Sequence, residues 1–393
     1  MVKLPKIWTG PAEAVLFITL ILFMIGTVNV FSASFVLAGQ LLDDSYFFLK
    51  RHLISFAIGF VVLLAALGPD YRKLNRLAGL MVVMTLGLLA AVHFAGVDAN
   101  GARRWLDLGI KFQPSEIAKL TSIIAAASYL GPHIDKQRKI SLVSFPVILA
   151  VIMGILILKQ PDMGTAVIVV GLCLILYLLA GLPRQQRYTL YACGAVFLVY
   201  FSYAASYRAD RIIAWLDPWE YQQGIGYQTV QALLAIGSGG MAGTGLGMGA
   251  SKFYYLPESH TDFAFAVLCQ EMGFIGAFMV LTLIGLLACY GGQIARQAKD
   301  GFGKMLAIGI TLLVAGQAVV NIAMVSGLLP VVGVPLPFIS FGGTSLIVNM
   351  AAIGILINIG RKTAALTSHP EAEPDPLPET KKRLKLIQRI KDN

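Results

Sequence analysis

Ten apolar runs constrain the fold of this chain more than any other feature. They cover approximately residues 12–36, 52–68, 77–96, 115–131, 142–159, 161–181, 189–206, 262–290, 304–326 and 343–360. A helix needs roughly 20 apolar residues to cross the hydrocarbon core of a bilayer. Of the 393 residues, 57% are hydrophobic and only 13% are Asp, Glu, Lys or Arg, about half the charge content of a soluble domain. The expected architecture is therefore an all-α membrane protein of about ten transmembrane helices, one membrane domain over 1–362. A Pro-containing linker and basic tail follow over 363–393. The first run is too long for the apolar region of a cleavable signal and is expected to stay as a helix.

Basic residues fix the expected orientation. Lys3 and Lys6, Arg72, Lys73 and Arg76, Lys136, Arg138 and Lys139, Arg184 and Arg187, Arg296, Lys299 and Lys304, and Arg361 with Lys362 fall in alternate loops. The positive-inside rule puts these loops and both termini in the cytoplasm. The opposite side then carries 37–51, 97–114, 327–342 and a large extracytoplasmic loop, 207–261, between the seventh and eighth helices. That loop is too long for an ordinary connection and too aromatic for disorder, with Trp215, Trp219, Tyr221 and Tyr227. Within it, Val230, Leu233, Leu234 and Ala235 predict a short amphipathic helix over 227–236 lying at the interface. The tail from Lys381 to Lys391 is a basic amphipathic segment suited to anionic lipid or a partner, or a solvated tail.

The net charge of +10 does not point to nucleic acid, because the cations lie in short clusters between apolar runs. Four cysteines inside those runs form no disulfide framework. Five scattered histidines, with no Walker loop and no Gly-x-Ser-x-Gly elbow, give no sign of zinc hydrolysis or ATP use.

Candidates for chemistry come from polar residues at the mouths of the runs. Asp262, expected in the first turn of the eighth helix, is either a helix-dipole partner or a functional carboxylate; the dipole lowers its pKa and burial raises it. Glu271 lies nine residues on, about 180° around a helix of 3.6 residues per turn, which disfavours a two-carboxylate site there. Glu116 and Lys119, spaced i, i+3, can pair as an internal salt bridge, or Lys119 can present a cation to an anionic substrate. Gln113-Pro114-Ser115-Glu116 and Gln160-Pro161-Asp162-Met163 read as helix starts, and their positive dipole ends would favour a phosphate. Arg103, Arg104 and Lys111 precede the first of these; Arg208, Arg211 and Lys252 sit in the long loop and would suit a diphosphate-bearing lipid. The glycine run 237–247 resembles a phosphate cradle only weakly, since no βαβ unit surrounds it.

Five motifs in order then resemble the SEDS family (shape, elongation, division and sporulation) of bacterial cell-wall synthesis: Asn100 to Trp105, Phe112 to Leu120, Gln160 to Thr165, Gly226 to Asp262 and Gly333 to Phe338. The resemblance spans roughly 12–361 and is closer to the division-type FtsW branch than to the RodA branch. Gln270 and Val332 depart from the family pattern. The resemblance implies a multi-pass protein of the bacterial cytoplasmic membrane, at the division septum, that polymerises lipid II on the outer face and releases undecaprenyl diphosphate. It also implies a class B penicillin-binding protein and other divisome membrane proteins as partners. On this reading Asp262 is the general base. Arg103, Arg104, Lys119, Arg208, Arg211 and Lys252 stabilise the diphosphate, helped by helix N-termini or a divalent cation (Mg or Mn), although no cofactor is firmly implied. Trp105, Glu116, Asp162, Glu258 and His260 shape or position the site. The competing readings are a lipid II flippase, which would need polar residues along a whole path, and a noncatalytic divisome scaffold.

Overall fold

Proline at the first helical position, where its missing N–H costs nothing, opens α1, Pro11–Leu41. The computed structural model describes residues 10–99, 102–107, 109, 111–203, 206–250 and 256–368; within these, the side chains of 98, 99, 102, 197–203, 206–208 and 365–368 are not described. After α1 come α2 (Phe47–Leu67), α3 (Arg72–Ala95), three short strands, α4 (Pro114–Asp135), α5 (Phe145–Leu158), α6 (Met163–Leu179) and α7 (Arg184–Tyr203). The chain continues through α8 (Ser206–Leu216), α9 (Tyr227–Ser238), α10 (Ala264–Gln297), α11 (Gly301–Thr311), α12 (Gln317–Val325) and α13 (Gly343–Ser368).

Each of the ten expected runs contains a helix. Six helical segments are long and apolar enough to cross a membrane: Pro11–Leu41, Phe47–Leu67, Arg72–Ala95, Ala264–Gln297, Gly301–Val325 and Gly343–Ala364. α5 and α6 are apolar but shorter. The chain is thus a multi-pass membrane protein. Its interior packs Leu22, Leu63, Ile123, Leu130, Leu287 and Ile353 into one continuous core. Val61 and Val83 are about two-thirds exposed, as expected where lipid rather than protein faces the helix.

Three sequence expectations change. The 97–114 connection, expected only as an extracytoplasmic loop, carries a three-stranded antiparallel sheet of β1 (Val97–Ala99), β2 (Ala102–Asp107) and β3 (Lys111–Phe112), with Val97 opposite Trp105 and Leu106 opposite Phe112. The eighth span begins later than expected: α10 starts at Ala264 with Phe263 as its N-cap, so Asp262 stands ahead of the helix. The amphipathic segment forms as α9, but it buries Thr229, Val230, Ala232 and Ala235 and leaves Leu234 exposed. The tail beyond Ser368, with the basic segment from Lys381, lies outside the described residues.

α10 is two helices merged across a break at Gly273, whose φ of 64° and ψ of −164° are non-helical. The glycine run after α9 clasps that break. Thr244 N donates to Gln270 O at 2.9 Å, Gly245 N to Glu271 O at 3.1 Å and Phe274 N to Gly240 O at 2.9 Å. A Cβ on Gly273 would lie 2.6 Å from Met241 O, and closer still to Gly243 N. These glycines therefore permit backbone to approach backbone, which replaces the phosphate-cradle reading.

A single π turn, Leu312–Gly316, joins α11 to α12. Such turns insert one extra residue into a helix and recur at functional sites. Here the turn immediately precedes Gln317 and Asn321, which face the irregular segment leading to α13.

Candidate functional site

Asp262 occupies a tight turn between the long loop and α10. Thr261 N and Phe263 N both donate to Glu258 O, at 3.1 and 3.2 Å, and Glu258 takes a left-handed φ of 53° to accept them. A positive φ is uncommon for a residue with a Cβ, so the turn is held by its surroundings. Asn321 supplies part of the hold: its Nδ2 donates to Asp262 O at 2.8 Å and to Val334 O at 2.7 Å. Gln317, one helical turn earlier, donates from Nε2 to Pro335 O at 2.8 Å. The position a Cβ would take on Gly333 lies 3.5 Å from Asp262 Oδ2. The carboxylate thus faces the 331–335 backbone.

Two helix starts converge on the same region. Asp162 caps α6 by accepting from Thr165 N at 3.1 Å, and its other oxygen accepts from Gln113 Nε2 at 3.0 Å. The two Gln-Pro motifs, read from sequence as separate caps, therefore join: Gln113 makes no cap of its own for α4 and binds the cap of α6. Gly164 packs against the 330s segment so closely that a Cβ would overlap Val332 O and sit 3.0 Å from Val334 Cγ1. Arg104, on β2, donates from Nε to Gln160 O at 3.2 Å and also bonds Pro161 O. Arg211, on α8, donates to Val331 O at 2.8 Å. Neither guanidinium forms an ion pair among the described residues.

Electrostatically these groups act together. Burial pushes the Asp262 carboxyl up to about 7; the charges of Glu258 and Asp162 add to the rise, while Arg104 and Arg211 oppose it. Desolvation outweighs the two guanidinium charges, whose hydrogen bonds go to backbone carbonyls and not to the carboxylate. A half-buried carboxyl that titrates near neutrality can take or give a proton at physiological pH.

Other predicted residues lie elsewhere. Glu116 and Lys119 do pair, at 2.7 Å, but inside the bundle: Lys119 is 1% exposed and donates to Gln317 Oε1 at 2.9 Å. In this structure Lys119 is held by protein partners instead of being turned towards an anion. Through Gln317 the pair supports Pro335 and so the loop facing Asp262. His260 is buried against Phe48 and Phe341, with ring centroids 4.5 and 5.9 Å away, and burial lowers its pKa. Its carbonyl accepts from Phe341 N at 2.9 Å, which places it as a packing group between loops. Trp105 is half-buried on β2 and Arg103 is exposed on the same strand. Arg208 lies within α8 with its side chain undescribed, and Lys252 lies outside the described residues. Glu271 accepts from Ser32 Oγ at 2.6 Å in the core.

Sequence reading missed Gln317 and Asn321. Their signal was present: two amides spaced i, i+4 in an apolar run belong on one helix face and need partners.

No three Asp, Glu, His or Cys residues among those described converge as metal ligands.

The family model for FtsW/RodA/SpoVE, described as cell cycle proteins, matches residues 13–365. Stage V sporulation protein E of Bacillus subtilis is 39% identical over 90% of this chain and 98% of its own length. A protein named probable peptidoglycan glycosyltransferase FtsW from Trichlorobacter lovleyi is 40% identical over 87% of this chain and 91% of its own. Among solved structures, a chain of a peptidoglycan synthase complex that coordinates polymerization and crosslinking superposes with a TM-score of 0.75 at 28% identity, covering 91% of this chain and 99% of that one. The rod shape determining protein RodA of Thermus thermophilus gives 0.65 at 27% identity, with 91% and 99% coverage.

Proposed function

The chain belongs to the FtsW/RodA/SpoVE family of cell cycle proteins, and from that membership we propose that it is a peptidoglycan glycosyltransferase polymerising lipid II. The observation that carries the reading is the Asp262 carboxyl, titrating near 7 within the field of two guanidinium groups that have no acidic partner among the described residues. Asp262 accepts the proton of the acceptor sugar's hydroxyl as that oxygen attacks the anomeric carbon of the donor. One glycosidic bond forms, the bond from the anomeric carbon to the diphosphate breaks, and undecaprenyl diphosphate leaves. Arg104 and Arg211, with the N-terminus of α6, stabilise the charge developing on the diphosphate. Glu258 holds the turn through its carbonyl, and the charges of Glu258 and Asp162 keep the carboxyl basic.

Relatives named FtsW, together with the motifs over 226–258, support a role in division at the septum. The structural likeness to a chain of a peptidoglycan synthase complex supports a partner of the class B penicillin-binding type. In the bacterial cytoplasmic membrane the Asp262 end of the bundle faces outward by the positive-inside rule.

Purified full-length protein with its penicillin-binding partner and labelled lipid II tests the assignment. Asp262→Asn is expected to abolish polymer, read on a gel, without loss of folded protein. Undiminished polymer from that variant would overturn the general-base assignment. Transbilayer movement of lipid II with no polymer from the parent protein would favour transport instead.

A further inference from the structure

The long loop carries a cavity whose lining differs in chemistry from the residues around Asp262. After α8 the chain folds back over α9 through a knot of turns: Gly224 N and Gly226 N both donate to Tyr221 O, at 3.0 and 3.1 Å. Gly226 makes the fold-back possible, since a Cβ there would lie 2.5 Å from Pro218 O. Between this knot and α9 lies a cavity of about 420 Å³ lined by Gln222, Gln223, Tyr227, Val230, Gln231 and Leu234. Tyr227, Val230, Gln231 and Leu234 follow helical i, i+3, i+4, i+7 spacing and share one face of α9.

The lining selects its ligand. It contains three carboxamides and a phenol and no ionised group, so an anion such as a diphosphate finds no counter-charge there. Gln222 and Gln223 are exposed and Gln231 is half-buried, so a lipid chain would strip three hydrated amides of water without offering partners. None of these amides hydrogen bonds to another described residue, and each offers two donors and two acceptor lone pairs in one plane. Neutral hydroxyl and acetamido groups match that set. Flat aromatic faces stand close in sequence, with Trp219 51% and Tyr221 38% exposed. The volume lies within the range of small-molecule sites.

We propose that this cavity is a neutral saccharide site that holds the glycan strand away from the reacting groups. The proposal rests on the glycosyltransferase reading for its substrate class and is tested apart from it. A tetramer of N-acetylglucosamine is titrated calorimetrically into the purified full-length protein, with no lipid substrate present. Saturable binding is expected, weakened at least tenfold in a Gln222→Ala/Gln223→Ala/Gln231→Ala variant whose melting temperature matches the parent. Inorganic diphosphate is expected not to compete. With lipid II and the partner present, the triple variant is expected to shift polymer towards shorter strands. Wild-type affinity in the triple variant, or displacement of the saccharide by diphosphate, overturns the site. If the parent makes no polymer while tetramer binding is lost in the triple variant, the glycosyltransferase reading fails and the saccharide site stands. Should the triple variant melt early, Gln231→Glu replaces it: the added charge is expected to weaken the tetramer at least threefold, and unchanged affinity overturns the proposal.

Discussion

Asn321 fastens Asp262 to the segment it faces: one amide nitrogen donates to the Asp262 carbonyl at 2.8 Å and to the Val334 carbonyl at 2.7 Å. The carboxylate is thus placed through its backbone, and its side chain stays available for chemistry. Replacing Asn321 by Leu leaves two buried carbonyls without their donor, at about 1–3 kcal/mol each before relaxation. The expected result is a fall in kcat of roughly ten- to a hundredfold as the base loses its position. KM for lipid II changes less than threefold, and steady-state kinetics on the purified complex separates the two.

The acidity of Asp262 predicts the shape of the pH profile. With the carboxyl held up to about 7, the basic form is depleted below neutrality, and kcat/KM is expected to fall about tenfold per pH unit below that point. Glu258 raises this value and Arg211 lowers it. Glu258→Gln is therefore expected to move the acidic limb to lower pH and Arg211→Ala to higher pH. Limbs that stay together in all three proteins would remove Asp262 as the group being titrated.

The same shift enters stability with a definite sign. A carboxyl near 7 when folded and near its ordinary value of 3.8 when unfolded binds its proton more tightly in the native state. Its contribution is fully present below about 4 and is lost as pH rises to 7. Asp262→Asn removes the penalty, so the variant is expected to be more stable than the parent at pH 8 by ~2 kcal/mol, allowing for partial solvent screening. At pH 4.5 the gap closes. Thermal melting in detergent at the two pH values reads the difference.

Burial makes the Glu116 and Lys119 pair sensitive to removal of either partner. Glu116→Gln leaves a 1% exposed ammonium with only Gln317 as partner, at about 3–5 kcal/mol. Adding Lys119→Met is expected to restore much of the loss, because a neutral pair of similar volume needs no counter-charge. Melting temperatures of the two singles and the double variant complete the cycle.

At Gly273 a methyl group is expected to open the clasp between α10 and the glycine run. Its φ of 64° is unfavourable for alanine, and the new Cβ would meet Met241 O at 2.6 Å. Gly273→Ala is expected to lower stability by more than ~2 kcal/mol and to expose the Thr244 and Gly245 amides to hydrogen exchange.

Much of this was legible in the residues. Every apolar run contains a helix, and six helical segments are long and apolar enough to cross a membrane because a span has few other solutions; Glu116 and Lys119 pair, as i, i+3 spacing on one helix face permits. Asp262 was found, but its setting was not. Phe263 and Ala264 continue the apolar run without a breaker, so the turn that keeps Asp262 outside α10 had no local mark. The sheet over 97–112 is too short for a period-2 signal to rise above noise. Gln317 and Asn321 were visible as polar exceptions, yet the carbonyls they serve, on Pro335, Asp262 and Val334, are named only by the tertiary fold.

The π turn at Leu312–Gly316 gives the Gly301–Val325 span a phase. One surplus residue offsets everything after it by about 100° relative to an unbroken α-helix, and Gln317 and Asn321 take their direction from that offset. Deleting a single residue from 312–316 would leave composition, length and hydropathy nearly unchanged while turning both amides away from the loop. Hydropathy alone would not register the loss, so the placement of Asp262 depends on the count of residues in a neighbouring helix as well as on their kind.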